Sequence, residues 1–389
     1  MTPKTADVAG QAVTFESLGA WPGVLDRVTR GESLDAASAA CVMGEILDGR
    51  AAPSQIAALV TALRMKGETA EEMRGFVLAM FDHATPLTVL DGAVDLVGTG
   101  GDRLASINVT TLAAFITAGA GLRVCKHGNR AASSSVGTAD VLEALGVVVD
   151  LGPPGVARCV EESRMGFCLA PRFHPAMRHA GPVRRELGVP TVFNFLGPLA
   201  NPAHVRRQLV GVSDPAMAPK MARVLGANGS EHAMVVYADD GLDELSVVSP
   251  ATVLEVTALP KREGGGPTTY EVRTWRLDPA ELGFSPATLA DLRGGDAAFN
   301  AGVIRGVLEG DRGACRDIGV LNAAAALVVG GTADDLEDGI ARATASLDAG
   351  EAMAVLDRLV AVSRSAAAEA NAADAANAPA GTGGAAAGR

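Results

Sequence analysis

Apolar residues in the first part of the chain repeat with the period of a helix. They fall at i, i+3, i+4 and i+7 in two successive segments: Ile56, Leu59, Val60 and Leu63, then Met73, Phe76, Val77 and Met80. This spacing predicts two amphipathic helices. Gly67 ends the first, and Thr69 with Glu72 has the spacing of a capping box at the start of the second. The pattern therefore predicts a helical subdomain that ends near His83.

From Asp91 onward, short apolar runs alternate with helical patterns. We expect strands at 94–97, 122–125, 147–151, 166–170, 208–212, 233–238, 244–248 and 253–256. We expect helices at 110–119, 137–145, 303–308, 319–329 and 352–362. This alternation is typical of an α/β domain with a largely parallel sheet.

The last part of the chain has a different composition. After Ser363 it is rich in Ala, Asn, Gly and Ser and has few large apolar residues. Such a segment buries too little apolar surface to offset the entropy that is lost on ordering. We therefore expect residues 363–389 to be a disordered tail whose alanines form at most transient helix.

The overall composition indicates a packed globular protein with an acidic balance. Of the 389 residues, 48% are hydrophobic and 20% are charged, and the formal net charge is -12. A nucleic acid would be repelled by this charge, and only 4% of the residues are aromatic, which leaves few platforms for stacking bases. A small phosphorylated ligand is compatible with the sequence, because a local cluster of N–H groups and cations binds it against the overall field.

Cysteine usage and hydropathy bear on the compartment. The five cysteines have no CxxC spacing and are odd in number, which favours reduced thiols in the cytoplasm. Residues 1–11 contain charges and no apolar segment, so we predict no signal peptide. Because no apolar run reaches the length of a transmembrane helix, we expect no membrane association.

A glycine-rich loop, Gly98-Thr99-Gly100-Gly101-Asp102, follows the first predicted strand. Its glycines let the backbone approach a ligand closely and turn N–H groups toward an anion. Downstream, Asn108, Thr110 and Thr111 open a predicted helix, whose first N–H groups and hydroxyls also suit a phosphate. Taken alone, the glycines fit a tight turn as well. The loop has neither the Gly-Lys-Ser/Thr of a Walker A loop nor the spacing of a dinucleotide fingerprint.

A second polar segment, Lys126-His127-Gly128-Asn129-Arg130, follows the strand predicted at 122–125 and precedes Ser133, Ser134 and Ser135. Cations, an amide and hydroxyls at the carboxyl end of a parallel strand suit a ligand crevice. The alternative is a solvated basic loop, and for His127 alone a structural role is the better interpretation.

An acidic segment, Asp239-Asp240-Gly241-Leu242-Asp243-Glu244, follows the strand predicted at 233–238. Adjacent carboxylates hold Mg²⁺ beside substrate phosphates, whereas the alternative is an acidic surface turn. No set of His and Cys residues indicates zinc, and the spacing reveals no Ser–His–Asp arrangement.

In this order, the three segments resemble the motifs of the anthranilate phosphoribosyltransferase family. Further stretches that fit are His174-Pro175 with Val183-Arg184-Arg185-Glu186-Leu187, and Asn194-Phe195-Leu196-Gly197-Pro198-Leu199-Ala200-Asn201-Pro202. The likeness covers roughly residues 14–362. Each motif is weakly specific alone, but their occurrence in sequence order is strongly specific.

The resemblance implies a reaction in tryptophan biosynthesis. The 5-phosphoribosyl group of phosphoribosyl pyrophosphate (PRPP) would pass to the amine of anthranilate, with release of pyrophosphate. It implies PRPP contacts from Gly98, Thr99, Gly100, Gly101, Asp102, Asn108, Thr110, Thr111, Lys126 and Ser134. It implies anthranilate contacts from Gly98, His127, Asn129, His174 and Arg184. A guanidinium such as that of Arg184 pairs well with the anthranilate carboxylate.

The resemblance also implies magnesium, with one Mg²⁺ at Thr110 and a second at Asp243 and Glu244 of each subunit. The family fold is the nucleoside-phosphorylase-like phosphoribosyltransferase fold, with a small discontinuous helical domain and a large α/β domain around a mostly parallel sheet. We expect residues 14–86 and about 177–201 in the helical domain, and 87–176 and about 202–362 in the PRPP-binding domain. The active site is expected between the domains, and a homodimer through the helical domain.

Three positions depart from the family pattern. Arg103 stands where glycine is common, and Thr110 replaces the usual serine but keeps the hydroxyl. Phe299 occupies a position where the family usually has Glu, which affects a local hydrogen bond or a domain contact rather than the chemistry.

The expected chemistry needs charge neutralisation more than proton transfer. Pyrophosphate leaves the ribose C1 carrying negative charge while the carbon becomes positive, so the site must neutralise the leaving group and hold the amine in place. The amine needs no strong base to be nucleophilic, so we assign no general base. Domain closure would exclude water.

Two other functions remain open on the sequence. A pyrimidine nucleoside phosphorylase has a related fold and a phosphate loop, but residues 126–130, Arg184 and the 243–244 pair favour the transferase. A non-catalytic relative that binds nucleic acid would need a basic groove, which the net charge of -12 opposes.

Overall fold

One seven-stranded sheet forms the centre of the fold in the computed structural model, which describes residues 13–102, 104–131, 136–260 and 269–377. The strands are β1 (Val94–Gly98), β2 (Val124–Gly128), β3 (Met165–Leu169), β4 (Arg207–Gly211), β5 (His232–Ala238), β6 (Ala251–Ala258) and β7 (Tyr270–Leu277). They lie in the order β3-β2-β1-β4-β5-β6-β7. Strands β1 to β5 pair in parallel, whereas β6 and β7 add to one edge in antiparallel pairing. The predicted α/β fold with a mostly parallel sheet is confirmed.

Fifteen α-helices surround this sheet within the described residues. They are α1 (Ala20–Thr29), α2 (Ala36–Leu47), α3 (Pro53–Lys66), α4 (Ala70–Asp82), α5 (Val109–Gly119), α6 (Thr138–Ala144), α7 (Pro153–Ser163), α8 (Ala170–Phe173), α9 (Gly181–Leu187), α10 (Phe193–Leu196), α11 (Ala218–Ala227), α12 (Ala297–Glu309), α13 (Ala314–Gly330), α14 (Leu336–Asp348) and α15 (Glu351–Asn377). Short 3-10 helices lie at Glu16–Leu18, Pro175–His179, Gly197–Leu199, Pro279–Leu282 and Leu289–Leu292.

The two amphipathic helices predicted near the N-terminus are confirmed as α3 and α4. Helix α3 buries the four apolar residues of its predicted stripe. At the start of α4, Thr69 Oγ1 accepts a hydrogen bond from Glu72 N, and Glu72 Oε2 accepts one from Thr69 N at 2.8 Å. This is the predicted capping box. Glu72 is fully buried and also bonds Leu34 N and Lys66 Nζ, so the cap ties α4 to its neighbours.

Two hydrophobic cores lie on opposite sides of the sheet, because alternate residues of a strand face opposite ways. Val210 of β4 belongs to the first core with helices α1 to α4, the 180–200 segment and α11. Leu209 beside it belongs to the second core with α5 to α7 and α12 to α15. The first core supports the predicted grouping of 14–86 with about 177–201, whose boundaries stay a prediction.

Two predicted strands, 147–151 and 244–248, are wrong. Residues 147–151 connect α6 to α7, and Val148 N donates to Ser363 Oγ instead of to a strand. Residues 244–248 run under α13, where Leu245 bonds the side chain of Asn322. Both runs are apolar because they are buried, not because they pair in the sheet. The sequence pattern did not reveal β7, whose side chains are mostly exposed.

The expectation of disorder from residue 363 differs from the structure, in which α15 continues to Asn377. The helix is held by tertiary contacts: Ser363 is fully buried, Arg364 Nε donates to Gly146 O, and Glu369 pairs with Arg158 at 2.8 Å. These contacts supply what the Ala-rich composition lacks. Residues 378–389 lie outside the described residues.

Length and hydropathy together decide whether any of the described helices could cross a membrane. No single one of them is both long and apolar enough to cross a bilayer, and α12 and α13 reach that length together only across a 77° bend.

Candidate active site

The glycine loop (residues 98–102) leaves the carboxyl end of β1 and turns back over the sheet. Gly100 and Gly101 have φ of 65° and 89°, a left-handed conformation that favours glycine. Thr99 N donates to Gly211 O at 3.0 Å, and Ser213 N donates to Thr99 Oγ1 at 3.0 Å. The loop is therefore hydrogen-bonded to the end of β4, which lies beside β1 in the sheet.

Three carboxylates meet beside this loop, and we call Asp102, Asp243 and Glu244 the carboxylate cluster. One oxygen from each lies within 4.8 Å of the others. Asp243 Oδ2 accepts a hydrogen bond from Gly100 N at 2.7 Å, which joins the cluster to the glycine loop. Burial raises the pKa of Asp243, and burial together with the charge of Asp243 raises that of Glu244. The cluster thus collects negative charge that the described protein groups only partly neutralise.

Glycines on two strands make room for Asp243. A Cβ at Gly98 would lie 2.6 Å from Asp243 Oδ2, and one at Gly211 would lie 1.4 Å from the Asp243 carbonyl oxygen. Only glycine leaves space for the backbone of Asp243 against β4. The reason for these glycines could not be read from their own neighbours in sequence.

The acidic segment divides into two functional parts. Asp239 pairs with Arg276 on the surface, and Asp240 Oδ2 accepts a hydrogen bond from Ser246 at 2.6 Å within its own turn. The surface-turn interpretation is thus correct for these two aspartates. Asp243 and Glu244 point inward instead. Asp102, which the sequence predicted as a PRPP ligand, joins them.

The carboxylate cluster fits a divalent cation. Carboxylate oxygens are the preferred ligands of Mg²⁺. Within the described residues Glu244 Oε2 is buried without a hydrogen-bond partner, so it has a lone pair that no protein donor uses. Three buried or half-buried carboxylates at this distance would repel one another without a counter-charge. Thr110, the other predicted ligand, accepts a hydrogen bond from Lys126 at 3.0 Å through its hydroxyl.

Lys126 lies inside the sheet and not on a loop. It is 1% exposed on β2, and its ammonium donates to Leu96 O and to Thr110 Oγ1. Burial lowers the pKa of Lys126 to about 8, opposed by the charges of Asp95, Glu244 and Asp243. A cation is therefore held under the glycine loop at neutral pH, and the interpretation as a solvated basic loop is wrong for this residue.

Asn129 and Arg130, at the end of the basic segment, are exposed. Arg130 is exposed and pairs with Glu143 at 2.7 Å between Nη2 and Oε1. Asn129 Oδ1 accepts a hydrogen bond from Arg130 N at 2.8 Å, so the Asn129 side chain is held at the end of β2. Ser134 lies outside the described residues, as does Arg103.

Asp95 and Asn201 form a buried support that the sequence analysis did not single out. Asp95 Oδ1 accepts a hydrogen bond from His127 N at 3.2 Å, and Asp95 Oδ2 accepts one from Asn201 Nδ2 at 2.8 Å. Burial raises the pKa of Asp95 to about 6. A charged residue inside an apolar strand was the signal available in the sequence, because buried charges are rare unless they are paired.

Two neutral histidines lie next to each other beyond Lys126. The His127 and His174 rings are 5.2 Å apart. His127 Nδ1 contacts Gly197 O at 3.2 Å, and His174 Nε2 contacts Ala200 O at 2.8 Å. Burial lowers the pKa of His127 to about 3 and lowers that of His174 as well. Neither ring carries charge at neutral pH.

Arg184 offers a cation that no carboxylate of the described residues pairs with. It lies near the end of α9, half-buried, with its guanidinium 5.7 Å from the centre of the Phe193 ring. Burial lowers the pKa of Arg184. No carboxylate lies within ion-pair distance of it in the described parts of the chain. This leaves the guanidinium available to an anionic ligand.

The start of α5 completes the polar lining. Asn108 precedes the helix, and Asn108 Oδ1 accepts a hydrogen bond from Asn300 Nδ2 at 2.9 Å. Thr111 Oγ1 is buried and has no partner within the described chain. Phe299, one of the three departures from the family pattern, is 53% exposed at the start of α12 and lies outside this lining.

Comparisons with known proteins match nearly the whole described chain. The helical bundle domain of the glycosyl transferase family matches residues 22–84, and the a/b domain of that family matches residues 90–353. The chain is 53% identical over 338 residues to the anthranilate phosphoribosyltransferase of Thermomicrobium roseum, which covers 86% of this chain and 95% of the relative.

Solved structures that resemble this chain belong to the same family as these relatives. The crystal structure of anthranilate phosphoribosyltransferase from Thermus thermophilus superposes with a TM-score of 0.80 and 40% identity, covering 88% of this chain and 99% of that one. The Saccharomyces cerevisiae enzyme in complex with PRPP and Mg superposes with a TM-score of 0.79 and 26% identity, covering 90% and 100%.

Proposed function

The chain belongs to the anthranilate phosphoribosyltransferases of the glycosyl transferase family, and we propose how its own residues bind the substrates and carry out the reaction. The enzyme transfers the 5-phosphoribosyl group of PRPP to the amine of anthranilate, giving N-(5-phosphoribosyl)anthranilate and pyrophosphate. One observation carries the proposal: the glycine loop, Lys126 and the carboxylate cluster converge at the carboxyl ends of β1, β2 and β4. In parallel α/β sheets this is where ligands bind.

The phosphate groups of PRPP are assigned to the glycine loop, Lys126 and the start of α5. Backbone N–H groups of the loop, the Lys126 ammonium and the first turn of α5 all present positive charge or donors. Asn108, Thr110 and Thr111 add side-chain groups. These contacts neutralise the pyrophosphate as it leaves, which is the main electrostatic demand of the reaction.

Magnesium is assigned to the carboxylate cluster. Asp102, Asp243 and Glu244 would hold it, and we propose a second ion near Thr110 beside the PRPP phosphates. A bound divalent cation supplies further neutralisation of the pyrophosphate charge. The yeast relative binds PRPP and Mg, and the donor set of this chain is of the same chemical class.

Anthranilate is assigned to the side of the site that holds Arg184. The guanidinium would bind the anthranilate carboxylate, and Asn129 would fix the ring from the end of β2. The neutral rings of His127 and His174 line the approach. They offer uncharged aromatic rings, which suit an aromatic substrate.

The residues present require no general base. The amine lone pair forms the bond to ribose C1 as the C1–O bond to pyrophosphate breaks, and the nitrogen then loses its proton. Because that nitrogen is cationic after attack, water suffices as the proton acceptor. His127 and His174 are bonded to backbone carbonyls. They hold position and do not need to exchange protons.

We also propose a cytoplasmic homodimer. The five cysteines are free thiols, and Cys125 Sγ and Cys168 Sγ lie 3.6 Å apart in a hydrogen bond and not in a disulfide, which suits a reducing compartment. Met65 on α3 is 84% exposed and Val189 after α9 is 50% exposed. Arg64 hydrogen-bonds Pro190 O, so the end of α3 lies next to the segment that follows α9. An exposed apolar surface of this kind suits a subunit contact.

Anthranilate fluorescence tests the proposed function. Purified protein is mixed with anthranilate, PRPP and Mg²⁺, and loss of the fluorescence is followed with and without EDTA. Loss that needs both PRPP and free Mg²⁺ is the expected result, and Asp243→Asn should abolish it. No loss with folded protein contradicts the proposal, and phosphorolysis of thymidine and uridine would then test the phosphorylase alternative.

A further inference from the structure

The Asn108 side chain carries an amide whose orientation determines what it recognises. Its Oδ1 accepts hydrogen bonds and its Nδ2 donates them, and the two exchange places when the amide is turned by half a turn. An anion such as a PRPP phosphate needs the donor. Some other part of the structure must therefore fix the amide with Nδ2 toward the substrate.

A chain of hydrogen bonds from a distant segment fixes this orientation. The backbone N–H of Gly295 can only donate, and it donates to Asn300 Oδ1 at 2.8 Å. This orients Asn300 so that its Nδ2 donates to Asn108 Oδ1 at 2.9 Å. The Nδ2 of Asn108 is then directed away from Asn300, and no described protein group accepts a hydrogen bond from it. This series of hydrogen bonds starts at a backbone N–H, which can only donate. The positions of oxygen and nitrogen in both side-chain amides are therefore determined.

The backbone before Asn300, at residues 293–294, is hydrogen-bonded to the backbone before Asn108, at residues 105–106. Ser106 pairs with Arg293 in an antiparallel bridge, and Gly294 N donates to Ala105 O at 2.8 Å. A Cβ at Gly294 would lie 2.5 Å from Ser106 O, so the two backbones are in direct contact. Asn300 itself is 2% exposed. Backbone contacts as well as the side-chain hydrogen bonds therefore join the two segments.

We propose that Asn300 is a positioning residue that holds the Asn108 amide with its donor facing the phosphate oxygens of PRPP. The inference rests on the proposed function, since it takes the ligand at Asn108 to be that anion. Asn300 does not touch the substrate. It acts through Asn108, so its effect on PRPP binding exists only while Asn108 carries an amide.

Two variants at residue 300 separate this role from simple structural support. Asn300→Asp keeps the shape, but its carboxylate only accepts hydrogen bonds, so Asn108 turns to donate Nδ2 to it and presents Oδ1 to the phosphate. Asn300→Ala only releases Asn108. We expect the KM for PRPP to rise about 10- to 100-fold in Asn300→Asp and about 3- to 10-fold in Asn300→Ala. The KM for anthranilate should stay within about 2-fold of the wild-type value. If Asn300 had only a structural role, the near-isosteric Asn300→Asp would raise the KM for PRPP less than the truncation Asn300→Ala.

A double-mutant cycle with Asn108→Ala tests whether Asn300 acts through Asn108. Asn300→Ala should raise the KM for PRPP no further in the Asn108→Ala background, because the effects of coupled residues are not additive. If Asn300→Asp still raises the KM for PRPP in the Asn108→Ala background, that rise measures direct charge repulsion. The additional rise in the background with Asn108 intact measures the effect of the turned amide. Thermal unfolding of each variant confirms folding, and if Asn300→Asp does not fold, the Asn300→Ala cycle decides alone.

The outcomes distinguish this inference from the proposed function. Additive effects in the cycle, equal rises in the KM of both substrates, or an unchanged PRPP KM in Asn300→Ala would overturn the positioning role while wild-type turnover upholds the transferase. If folded wild-type protein does not consume anthranilate with PRPP, both the proposed function and this inference fail.

Discussion

Several charged residues of this site are buried, so a bound ligand of opposite charge would stabilise them. Lys126 is buried, and so are Asp243 and Glu244 of the carboxylate cluster. Burial lowers the pKa of Lys126 to about 8 and raises the pKa of both carboxyls, as desolvation disfavours every charged form. A bound anion and a bound cation relieve these costs together. Binding of the substrate and its metal ion therefore offsets the cost of burying these charges.

Arg184 gives the first prediction at this scale. Arg184→Lys keeps the charge but removes the planar fork that matches a carboxylate. The KM for anthranilate should rise about 10- to 100-fold, and the KM for PRPP should not change. Arg185→Lys, an exposed neighbour on the same helix, is the matched control. Initial rates over both substrates measure this, and a rise in the PRPP KM as large as that for anthranilate would contradict the assignment.

His127 gives a prediction on pH and stability. Its pKa falls from the ordinary 6.5 to about 3 in the folded protein, so the unfolded chain binds the extra proton between these values. Stability is full above about pH 6.5 and is lost as the pH falls below it. His127→Asn, whose amide can still donate to Gly197 O, should remove about 1 kcal/mol of the loss between pH 6.5 and 5.5.

Urea unfolding at several pH values measures this contribution. Gly302→Ala, a change that removes no titratable group, is the control and should leave the wild-type slope of unfolding free energy against pH unchanged. A His127→Asn variant with the wild-type slope would show that the ring binds its proton equally well in the folded and unfolded states. Because the folded ring is neutral, the variant should also retain most of its turnover at pH 7 to 8.

At the scale of elements, strand ends and one helix fix the carboxylate cluster. Strands β1 and β4 run side by side in register, so Gly98 and Gly211 are partners at their carboxyl ends. Both leave space for Asp243. From the other side, α13 supplies Asn322, which accepts a hydrogen bond from Leu245 N and donates one to Leu245 O. The cluster is held between a strand pair and a helix.

Gly211→Ala tests the strand side of this arrangement. Because its Cβ would lie 1.4 Å from the Asp243 carbonyl oxygen, the backbone of Asp243 must move. We expect a loss of stability of about 1–3 kcal/mol and a fall in activity of at least about 100-fold. Gly302→Ala in α12, where a Cβ meets nothing within 4 Å, is the control and should be neutral or slightly stabilising. Near-normal activity of folded Gly211→Ala would contradict this account.

Asn322→Ala tests the helix side. Removing the two hydrogen bonds to Leu245 frees the backbone next to Glu244, so the Mg²⁺ concentration for half-maximal activity should rise about 10-fold or more. Mn²⁺ binding followed by EPR provides a readout that does not depend on turnover. Leu327→Ala, equally buried on α13, should lower stability without changing metal affinity. Equal metal affinities in the two variants would assign Asn322 a purely structural role.

At the scale of the whole molecule, the site lies where segments far apart in sequence meet. The glycine loop and Lys126 come from the first half of the sheet, Asp243 and Glu244 follow β5, and Asn300 reaches Asn108 from α12. Arg184 belongs to the 180–200 segment, which packs with the N-terminal helices. The proposed contact to the anthranilate carboxylate thus comes from a segment remote in sequence from the PRPP contacts.

The proposed homodimer gives a prediction at this scale. Met65→Glu places a charge on the apolar surface of α3, and a desolvated charge disfavours a subunit contact. Light scattering after size-exclusion chromatography should show a dimer for the wild type and a monomer for the variant. Phe299→Glu, an exposed apolar residue on α12, should remain dimeric. A wild-type monomer would refute the homodimer, and a dimeric Met65→Glu would place the contact elsewhere.

The sequence by itself determined the class of fold and the family. Helical periodicity located α3 and α4, because one buried stripe per helix leaves a local pattern. Short apolar runs located β1, β3 and β5 for the same reason. The runs at 147–151 and 244–248 gave wrong strands, since burial without strand pairing leaves the same apolar signal. Ordered motifs indicated the family, because each depends on neighbours in the chain.

Only the tertiary structure decided which polar residues act together. It separated Asp243 from Asp239, turned Lys126 inward and Arg130 outward, and joined Asn300 to Asn108. It also ordered α15 through contacts with Gly146 and Arg158. These outcomes depend on distances between residues that are remote in sequence. A sequence pattern records only which neighbours along the chain are buried, so no local rule contains that information.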